Sequence, residues 1–202
     1  MHQLLLATRN SHKTREFVQI LGDEFEVRDL AGATELPAVE ETGLTFEENA
    51  ILKAVEISKH FPGLVVGDDS GLAVDALNGA PGIYSARYAG ERATDAENVA
   101  KILFELAESD PGAGPLSARF HCALALAQEG KVLETFEGTI EGRMVSEPRG
   151  SAGFGYDPIF VPRGFSRTLA ELSLAEKNRI SHRARAIRAL RIALRAFPLS
   201  PS

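Results

Sequence analysis

An apolar run that ends in two adjacent carboxylates constrains this chain more than any other feature of its sequence. Leu64-Val65-Val66 has the composition of a buried strand, and it leads directly into Gly67-Asp68-Asp69-Ser70-Gly71. Two neighbouring negative charges lose hydration at the end of a buried strand, which is costly unless a cation or a set of donors compensates them. The stretch therefore indicates a metal site.

The same five residues are also typical of a turn. Asp and Ser side chains bond their own backbone, and Gly accepts positive φ. Taken alone, the stretch leaves both interpretations open, and the rest of the chain has to decide between them.

Composition excludes several classes of partner. The 202 residues carry 22 basic and 28 acidic side chains, a net charge of −6, which argues against a general affinity for nucleic acid or for anionic membranes. No apolar stretch approaches the roughly 20 residues of a membrane helix, and Leu4-Leu5-Leu6-Ala7 is too short for a signal peptide. The single cysteine, Cys122, cannot form an internal disulfide. We expect a cytoplasmic protein that binds neither nucleic acid nor membrane.

Hydrophobic periodicity predicts an α/β fold with a mixed sheet. Strands are expected at Gln3 to Ala7, Phe25 to Leu30, Leu64 to Gly67, Ala118 to Ala127, Lys131 to Glu137, Thr139 to Ser146 and Ile159 to Val161. Helices are expected at Lys13 to Leu21, at Phe46 to about His60, after Thr94 and from Ser173 onward. Capping-box patterns at Thr45 to Glu48 and Thr94 to Glu97 predict two of the helix starts. We expect one domain, residues 1–202.

A polar loop, Thr8-Arg9-Asn10-Ser11-His12, separates the first predicted strand from the first helix. Backbone amides at a helix start favour anions. Four side chains add donors and a charge: Thr8, Asn10, Ser11 and Lys13. The loop is a candidate site for phosphate oxygens, although it lacks the glycines of a P-loop, and a capped, solvated loop is the alternative.

A second acidic pair, Glu40-Glu41, precedes the predicted helix at Phe46. One of these glutamates could join Asp68 and Asp69 around Mg²⁺, which prefers hard oxygen ligands. The helix dipole alone would also favour acids here. Lys53, about two turns into the helix, could neutralise phosphate or balance the acids, whereas a solvated lysine is the alternative.

Two further segments carry candidate binding groups. Gly153-Phe154-Gly155-Tyr156-Asp157-Pro158 alternates glycine, aromatic and acid, which favours a loop that approaches a flat ligand closely while a ring stacks on it. A turn that packs two aromatics into the core is the alternative. Lys177 and His182-Arg183 place basic groups near a helix junction, where they could meet phosphate or a base edge or simply form a solvated helix face.

Six ordered segments carry a resemblance to a known family. They are Ala7-Thr8 with Asn10 and Lys13; Glu40-Glu41-Thr42-Gly43 with Glu48-Asn49-Ala50; Gly67-Asp68-Asp69-Ser70-Gly71-Leu72; Gly79-Ala80-Pro81-Gly82-Ile83-Tyr84-Ser85-Ala86-Arg87; Gly153 to Pro158; and Ser181-His182-Arg183. With them the chain resembles the inosine triphosphate pyrophosphatase family, in particular its bacterial dITP/XTP pyrophosphatase branch, from the first strand to the last helix.

The resemblance implies hydrolysis of non-standard purine nucleoside triphosphates (ITP, dITP, XTP, dXTP) to the monophosphate and pyrophosphate. Such enzymes remove deaminated purines from the nucleotide pool. The resemblance also implies an elongated mixed sheet flanked by helices, two lobes with a central active-site cleft, a homodimer and dependence on Mg²⁺. Two alternatives stay open: a house-cleaning pyrophosphatase for other modified nucleotides, and a catalytically silent nucleotide-binding regulator, against which the two aspartates and two lysines argue.

The same resemblance implies roles for individual residues. Asp69 is the expected proton acceptor that activates water and touches the metal, with Asp68 and either Glu40 or Glu41 as its partners in the metal site. Thr8 to Lys13 would bind the triphosphate and Ser70 would contact substrate. Lys13 and Lys53 would offset charge on the leaving pyrophosphate. The purine would be bound by Phe154, Gly155, Tyr156, Asp157, Lys177, His182 and Arg183.

Arg9 departs from the family pattern, because many relatives have glycine in this position. If the position required positive φ, arginine would be strained there; otherwise its side chain could add a phosphate contact. The departure concerns the geometry of the phosphate loop and leaves the reaction class unaffected.

Overall fold

The computed structural model describes residues 2–33, 36–109 and 116–196. Strands in these ranges are β1 (His2–Leu6), β2 (Phe25–Arg28), β3 (Leu64–Val74), β4 (Ser117–Gln128), β5 (Lys131–Met144) and β6 (Phe160–Pro162). The α-helices are α1 (Ser11–Leu21), α2 (Phe46–Ser58), α3 (Asp95–Glu108), α4 (Leu174–Ile180) and α5 (His182–Ala196). The strands form one sheet in the order β2-β1-β3-β4-β5-β6.

The sheet is mixed. β1 pairs in parallel with β2 and with β3, so that Leu5 lies opposite Arg28 on one side and Val65 on the other. β5 and β6 are antiparallel, with Arg143 opposite Val161. The predicted α/β fold with a mixed sheet and flanking helices is confirmed.

The chain divides into two compact units. Unit 1 comprises Met1–Asp69, Cys122–Gly138 and His182–Ser202, and unit 2 comprises Ser70–His121 and Thr139–Ser181. Each has its own apolar core. Core residues of unit 1 include Leu4, Leu6, Phe17, Val66, Leu124, Ile187 and Leu190, and those of unit 2 include Leu72, Val99, Ile102, Ile140, Ile159 and Phe160.

The acidic pair lies inside a strand. β3 continues from Leu64 to Val74 through both carboxylates, so the alternative of a turn at Asp68 to Gly71 is wrong. Asp68 and Asp69 are buried, because side chains of α1 and α5 cover Asp68 and side chains of α2 cover Asp69. Burial makes the charges of this pair expensive and explains why cationic side chains converge on them.

Gly67 lets α2 pack directly on β3. A Cβ at this position would lie 2.0 Å from the carbonyl oxygen of Ala50 and 2.9 Å from the amide nitrogen of Ala54, which is closer than any side chain tolerates. Alanines continue this close packing between α2 and β4: Ala50, Ala54, Ala123, Ala125 and Ala127. The backbones of α2 and β3 can therefore approach until the side chains of Asn49 and Lys53 reach Asp69.

Three local predictions need correction. The first helix begins at Ser11, two residues earlier than predicted, because the side chain of Asn10 caps it by accepting from the amides of His12 and Lys13. At α2, Thr45 accepts from the amide of Glu48, but Glu48 returns to the amide of Leu44, so only half of the predicted capping box forms. The complete box at Thr94 is confirmed.

The third correction concerns β5, which replaces two predicted strands by one. Gly138 lies in the gap between the predicted strands Lys131 to Glu137 and Thr139 to Ser146. In the structure the strand runs through it, and a Cβ there would lie 2.1 Å from the carbonyl oxygen of His182 and 2.8 Å from the amide nitrogen of Ala186. The glycine therefore admits the backbone of α5 instead of ending a strand.

Within the described residues, no helix combines the length and the apolar character that crossing a membrane requires.

Candidate active site

Asp68 is neutralised by two cations in unit 1. Lys13 Nζ, from α1, lies 2.5 Å from Asp68 Oδ1, and Arg183 Nε, from α5, lies 2.7 Å from Asp68 Oδ2. Burial raises the pKa of a carboxyl, but the charges of Arg183 and Lys13 outweigh burial and hold the pKa of Asp68 well below its ordinary value. Asp68 is therefore a fixed anion that holds a lysine and an arginine.

Cys122 completes the surroundings of Asp68. Its Sγ lies 3.7 Å from Asp68 Oδ2 and donates to it. Burial, together with the charge of Asp68, raises the pKa of this thiol well above its ordinary value. The thiol therefore stays protonated, as expected for a buried structural cysteine.

Asp69, the next residue of β3, has different partners. Lys53 Nζ lies 2.8 Å from Asp69 Oδ1, and Asn49 Nδ2 lies 3.3 Å from Asp69 Oδ2. Both donors come from α2, one turn apart. Burial raises the pKa of Asp69 above its ordinary value, and the charge of Lys53 opposes this effect without cancelling it. Two neighbouring carboxylates thus have their pKa values moved in opposite directions, which is a frequent property of catalytic sites.

Lys53 also joins Asp69 to one of the two predicted glutamates. Its Nζ lies 3.0 Å from Glu41 Oε1, and Glu41 is half-buried, whereas Glu40 is exposed. Burial lowers the pKa of an amine, but the charges of Asp69 and Glu41 outweigh burial and raise the pKa of Lys53. The lysine stays charged between two carboxylates.

The metal prediction can be examined on these contacts. Among residues 2–33, 36–109 and 116–196, no three His, Cys, Asp or Glu side chains are grouped as ligands for a metal ion. Glu41 and Asp69 nevertheless present two carboxylates to the same ammonium, and Mg²⁺ is typically held by one or two carboxylates together with substrate phosphate. Glu41 and Asp69 therefore fit such an ion better than Glu40 and Asp68.

The predicted phosphate loop is a helix cap in unit 1. Thr8 Oγ1 accepts from the amide of Asn10, which in turn caps α1. Ser11 and His12 are exposed in the first turn of α1, and Lys13 reaches back to Asp68. The alternative of a capped loop is thus formed locally, and phosphate binding by these residues stays a prediction.

Arg9 is compatible with the backbone of this loop. Asn78 and Glu129 are the non-glycine residues with positive φ in the described parts of the chain, so Arg9 does not occupy a conformation that favours glycine. Its guanidinium is exposed and donates to the carbonyl oxygen of Leu36 at 3.3 Å. Arginine in place of glycine is therefore accommodated without backbone strain.

The predicted purine loop in unit 2 is organised by Asp157. Its Oδ2 accepts from the amide of Phe154 at 3.0 Å and from Lys177 Nζ, in α4, at 2.6 Å. Lys177 also lies over the Phe154 ring, 4.7 Å from the centroid. The amide of Gly155 donates to Asp95 Oδ2 at the start of α3. The loop is thus fixed at three points, as preorganised binding of a ligand requires.

Positive φ allows the loop to turn this tightly. Gly153 has φ +76° and Gly155 has φ +60°. A Cβ at Gly153 would lie 2.0 Å from Asp157 Oδ2, whereas a Cβ at Gly155 would meet nothing within 4 Å. Gly153 is therefore required both by conformation and by the position of Asp157.

The remaining predicted residues are distributed over several elements. Ser70 is half-buried on β3, Tyr156 is buried, and His182 is buried as the first residue of α5. Arg183 lies between Asp68 and Glu16, where its Nη1 donates to Glu16 Oε2 at 2.8 Å. Recognition of the base by His182 or Arg183 stays a prediction, while the contacts of Arg183 give it a structural role beside Asp68.

Two residues of the site had no predicted role. Glu16 is buried on α1 directly before Phe17, and a charge on the apolar face of a helix is the signal that could have identified it. Asn49 lies four residues before Lys53, so one face of α2 carries both partners of Asp69. Neither residue could be linked to its partner by spacing alone.

Comparisons with known proteins agree with the architecture. The chain matches the sequence model of the Ham1 family over residues 4–193. It is 49% identical to a dITP/XTP pyrophosphatase of Bacillus licheniformis, over 94% of this chain and 96% of the relative. It is 50% identical to a dITP/XTP pyrophosphatase of Bacillus anthracis, over 94% of this chain and 95% of the relative.

Solved structures give the same result. A HAM1 protein from Coxiella burnetii superposes with a TM-score of 0.86 at 43% identity, covering 98% of this chain and 100% of that chain. A nucleoside-triphosphatase / dITP/XTP pyrophosphatase from Mycobacterium abscessus superposes with a TM-score of 0.72 at 44% identity, covering 93% and 98%. The family membership predicted from six motifs is confirmed, and the chain belongs to the Ham1 family.

Proposed function

We propose that this protein hydrolyses non-standard purine nucleoside triphosphates, namely dITP, ITP, XTP and dXTP, to the nucleoside monophosphate and pyrophosphate. The observation that carries the proposal is the pair Asp68 and Asp69 on β3: one carboxylate holds two cations, and the other has a raised pKa beside a single lysine. Relatives 47–50% identical that are named dITP/XTP pyrophosphatases support the substrate class. The reaction would keep deaminated purines out of nucleic acids.

Asp69 is the group that takes the proton from the attacking water. A general base works best when its pKa lies near the operating pH, and burial moves the pKa of Asp69 in that direction. Asn49 and Lys53 fix the orientation of its carboxylate. Attack at the α-phosphorus in a single in-line step would release pyrophosphate without a covalent intermediate.

Two lysines supply the positive charge that binding of the triphosphate requires. Lys13 and Lys53 are held by carboxylates of β3, so their positions are set before substrate arrives. Asp68 orients Lys13, and Arg183 keeps Asp68 in place. The phosphate oxygens would also meet the N-terminus of α1, where Thr8, Asn10 and Ser11 lie.

Mg²⁺ is the proposed cofactor, with Glu41 and Asp69 as the residues that would hold it. Both carboxylates bond to Lys53, and the two oxygens of Asp68 already accept from cations, which favours Glu41 and Asp69. When bound, Mg²⁺ would neutralise charge on the phosphates. Glu40 and Asp68 are the alternative ligands. Removing each of the four carboxylates singly and measuring the dependence of turnover on Mg²⁺ would distinguish the two sets.

Base recognition is proposed for the loop Phe154 to Asp157 with Lys177. The Phe154 ring offers a stacking surface, and the ammonium of Lys177 offers donors. Hypoxanthine and xanthine carry a 6-keto acceptor, whereas adenine carries a 6-amino group that would leave such donors unpaired. His182 and Arg183 are further candidates for this role.

A panel of nucleoside triphosphates tests the proposal. Turnover of dITP, XTP, dATP, dUTP and methylated dTTP is measured with and without Mg²⁺, with pyrophosphate and phosphate assayed separately. We expect pyrophosphate from dITP and XTP, and only with Mg²⁺. Hydrolysis in ¹⁸O-water should label the monophosphate, and label in pyrophosphate would exclude attack at the α-phosphorus.

A homodimer belongs to the same proposal, since the family resemblance implies it. Light scattering coupled to gel filtration should give twice the 21.8 kDa of one chain. A mass of one chain at assay concentration would contradict it.

A further inference from the structure

One motif of the chain has no part in the proposed reaction. The segment Gly79 to Arg87 follows β3, and it folds back onto the end of that strand in unit 2. The amide of Val74 donates to the carbonyl oxygen of Ala80 at 3.0 Å, and Ala73 forms an antiparallel bridge with Pro81. A short 3-10 helix, Gly82–Arg87, completes the segment.

Ser85, inside this short helix, fixes β3 through its side chain. Its Oγ accepts from the amide of Leu72 at 2.9 Å and donates to the carbonyl oxygen of Gly82 at 2.6 Å. Leu72 lies two residues after Ser70 and three after Asp69 on the same strand. A buried hydroxyl of another segment thus holds a strand amide close to the reacting residues.

The backbone of Ser85 fixes the purine loop. Tyr156 Oη donates to the carbonyl oxygen of Ser85 at 2.8 Å, and both residues are buried. Burial raises the pKa of the Tyr156 phenol, so it remains a donor throughout the neutral range. Tyr156 adjoins Asp157, which holds Phe154 and Lys177. One residue therefore contacts the catalytic strand with its hydroxyl and the purine loop with its carbonyl.

We propose that Ser85 is a positioning residue that couples recognition of the purine base to the catalytic strand β3. The inference rests on the proposed function. A base that seats correctly stabilises the Phe154 to Asp157 loop, and through Tyr156 and Ser85 this favours the position of β3 in which Ser70 and Asp69 act. Binding energy at the base is thereby used to raise the rate at the phosphate.

The test compares two substrates in one variant. We measure kcat/KM for dITP and for dATP in wild type and in Ser85→Ala. The ratio of kcat/KM for dITP to kcat/KM for dATP should fall about tenfold in Ser85→Ala. The variant should lose rate with dITP, whose base engages the Phe154 to Asp157 loop, and not with dATP. If both values fall by the same factor, the ratio is unchanged, Ser85 has only a structural role, and the inference is overturned.

Matched variants separate coupling from loss of stability. Ser58 makes the same two bonds elsewhere, since its Oγ donates to the carbonyl oxygen of Val55 and accepts from the amide of Gly130, each at 3.0 Å. Ser58→Ala should leave the substrate ratio as in wild type. Ser85→Thr retains the hydroxyl and should restore most of the ratio.

Tyr156→Phe tests the same connection from its other end and keeps the ring, so it also serves if Ser85→Ala fails to fold. It should lower the ratio by a similar factor, and the double variant should lose no more than either single variant. If the ratio in the double variant fell by the product of the two single-variant factors, the two residues would act independently, which would contradict the coupling. A wild-type enzyme without preference for dITP would contradict the proposed function itself, whatever Ser85 does.

Discussion

Arg183 Nε lies 2.7 Å from Asp68 Oδ2, and each side chain is 1% exposed. Nη1 of the same guanidinium donates to Glu16 Oε2, so that one buried arginine has a buried carboxylate on either side. The charges of both carboxylates raise the pKa of Arg183 well above its ordinary value, although burial alone would lower it. Protonation of either carboxylate would therefore remove part of the charge that compensates the buried guanidinium.

Removal of Arg183 should be strongly destabilising. Arg183→Met leaves Asp68 and Glu16 buried with one cation fewer, and loss of a partner from a buried ion pair costs about 3–5 kcal/mol. Urea unfolding measures the change in the free energy of unfolding. Arg195→Met is the control, because Arg195 pairs with Glu24 at the surface, where water and salt screen the pair and its loss should change stability little. Equal effects of the two substitutions would contradict the role given to Arg183.

Asp69→Asn should abolish turnover and leave the fold intact. An amide does not accept the proton from water, and loss of a general base typically lowers the rate by roughly 100- to 10,000-fold. Lys53 keeps Glu41 as a partner in this variant, so the thermal midpoint should change little. Asp75→Asn is the control, since Asp75 pairs with Arg119 in unit 2 and has no part in the proposed reaction. Full activity of Asp69→Asn would refute the assignment of the base.

The two aspartates should affect the pH dependence of stability with opposite signs. The pKa of Asp68 is lower in the folded protein than in the unfolded chain, so its contribution is complete above about pH 4 and is lost as the pH falls through and below that value. The pKa of Asp69 is raised on folding, so stability from this group increases as the pH falls toward pH 4 from above.

Unfolding in urea between pH 3 and pH 6 measures both effects. As the pH falls below about 4, Asp68→Asn should lose less stability than the wild-type protein. As the pH falls from 6 toward 4, Asp69→Asn lacks the stabilising protonation of Asp69, so its free energy of unfolding should fall more steeply than that of wild type. The wild-type protein is the reference at each pH. Identical slopes in the two variants would show that the carboxylates titrate alike, contrary to their contacts.

Two glycines of the purine loop should differ in their tolerance of alanine. Both have positive φ, but only at Gly153 would a Cβ collide with Asp157, whose carboxylate is held by Lys177 and by the amide of Phe154. Gly153→Ala should therefore raise KM for dITP well beyond the effect of Gly155→Ala, which reports the cost of φ alone. Steady-state kinetics with dITP gives both values. Equal KM values would mean that the position of Asp157 does not matter for binding.

The order of elements and the mixed sheet could be predicted from periodicity and caps, since these are local properties of the chain. The gap predicted at Gly138 and the alternative of a turn at Asp68 to Gly71 are wrong for the same physical reason. Glycine, aspartate and serine favour breaks and turns in isolation, whereas contacts with α5 and with neighbouring strands favour continuous strands here.

The partners of the site residues were harder to predict. Arg183 and Asp68 are separated by 115 positions, and no local pattern connects them. Asn49 and Glu16 belong to helices whose presence could be predicted, but which helix face meets which carboxylate depends on packing. By contrast, adjacent acids, basic loop residues and the aromatic-glycine loop identified the family because each is contiguous in the chain.

The absence of a side chain at Gly67 affects the acidity of Asp69, the proposed general base. Ala50 O would be 2.0 Å from a Cβ at this position, and the same helix carries Lys53 to Asp69. Burial raises the pKa of Asp69 and the charge of Lys53 lowers it, so both influences depend on how closely α2 approaches β3. The acid limb of the pH–rate profile is thus sensitive to the spacing between the backbones of α2 and β3. A residue larger than glycine at position 67 would shift this limb without touching substrate.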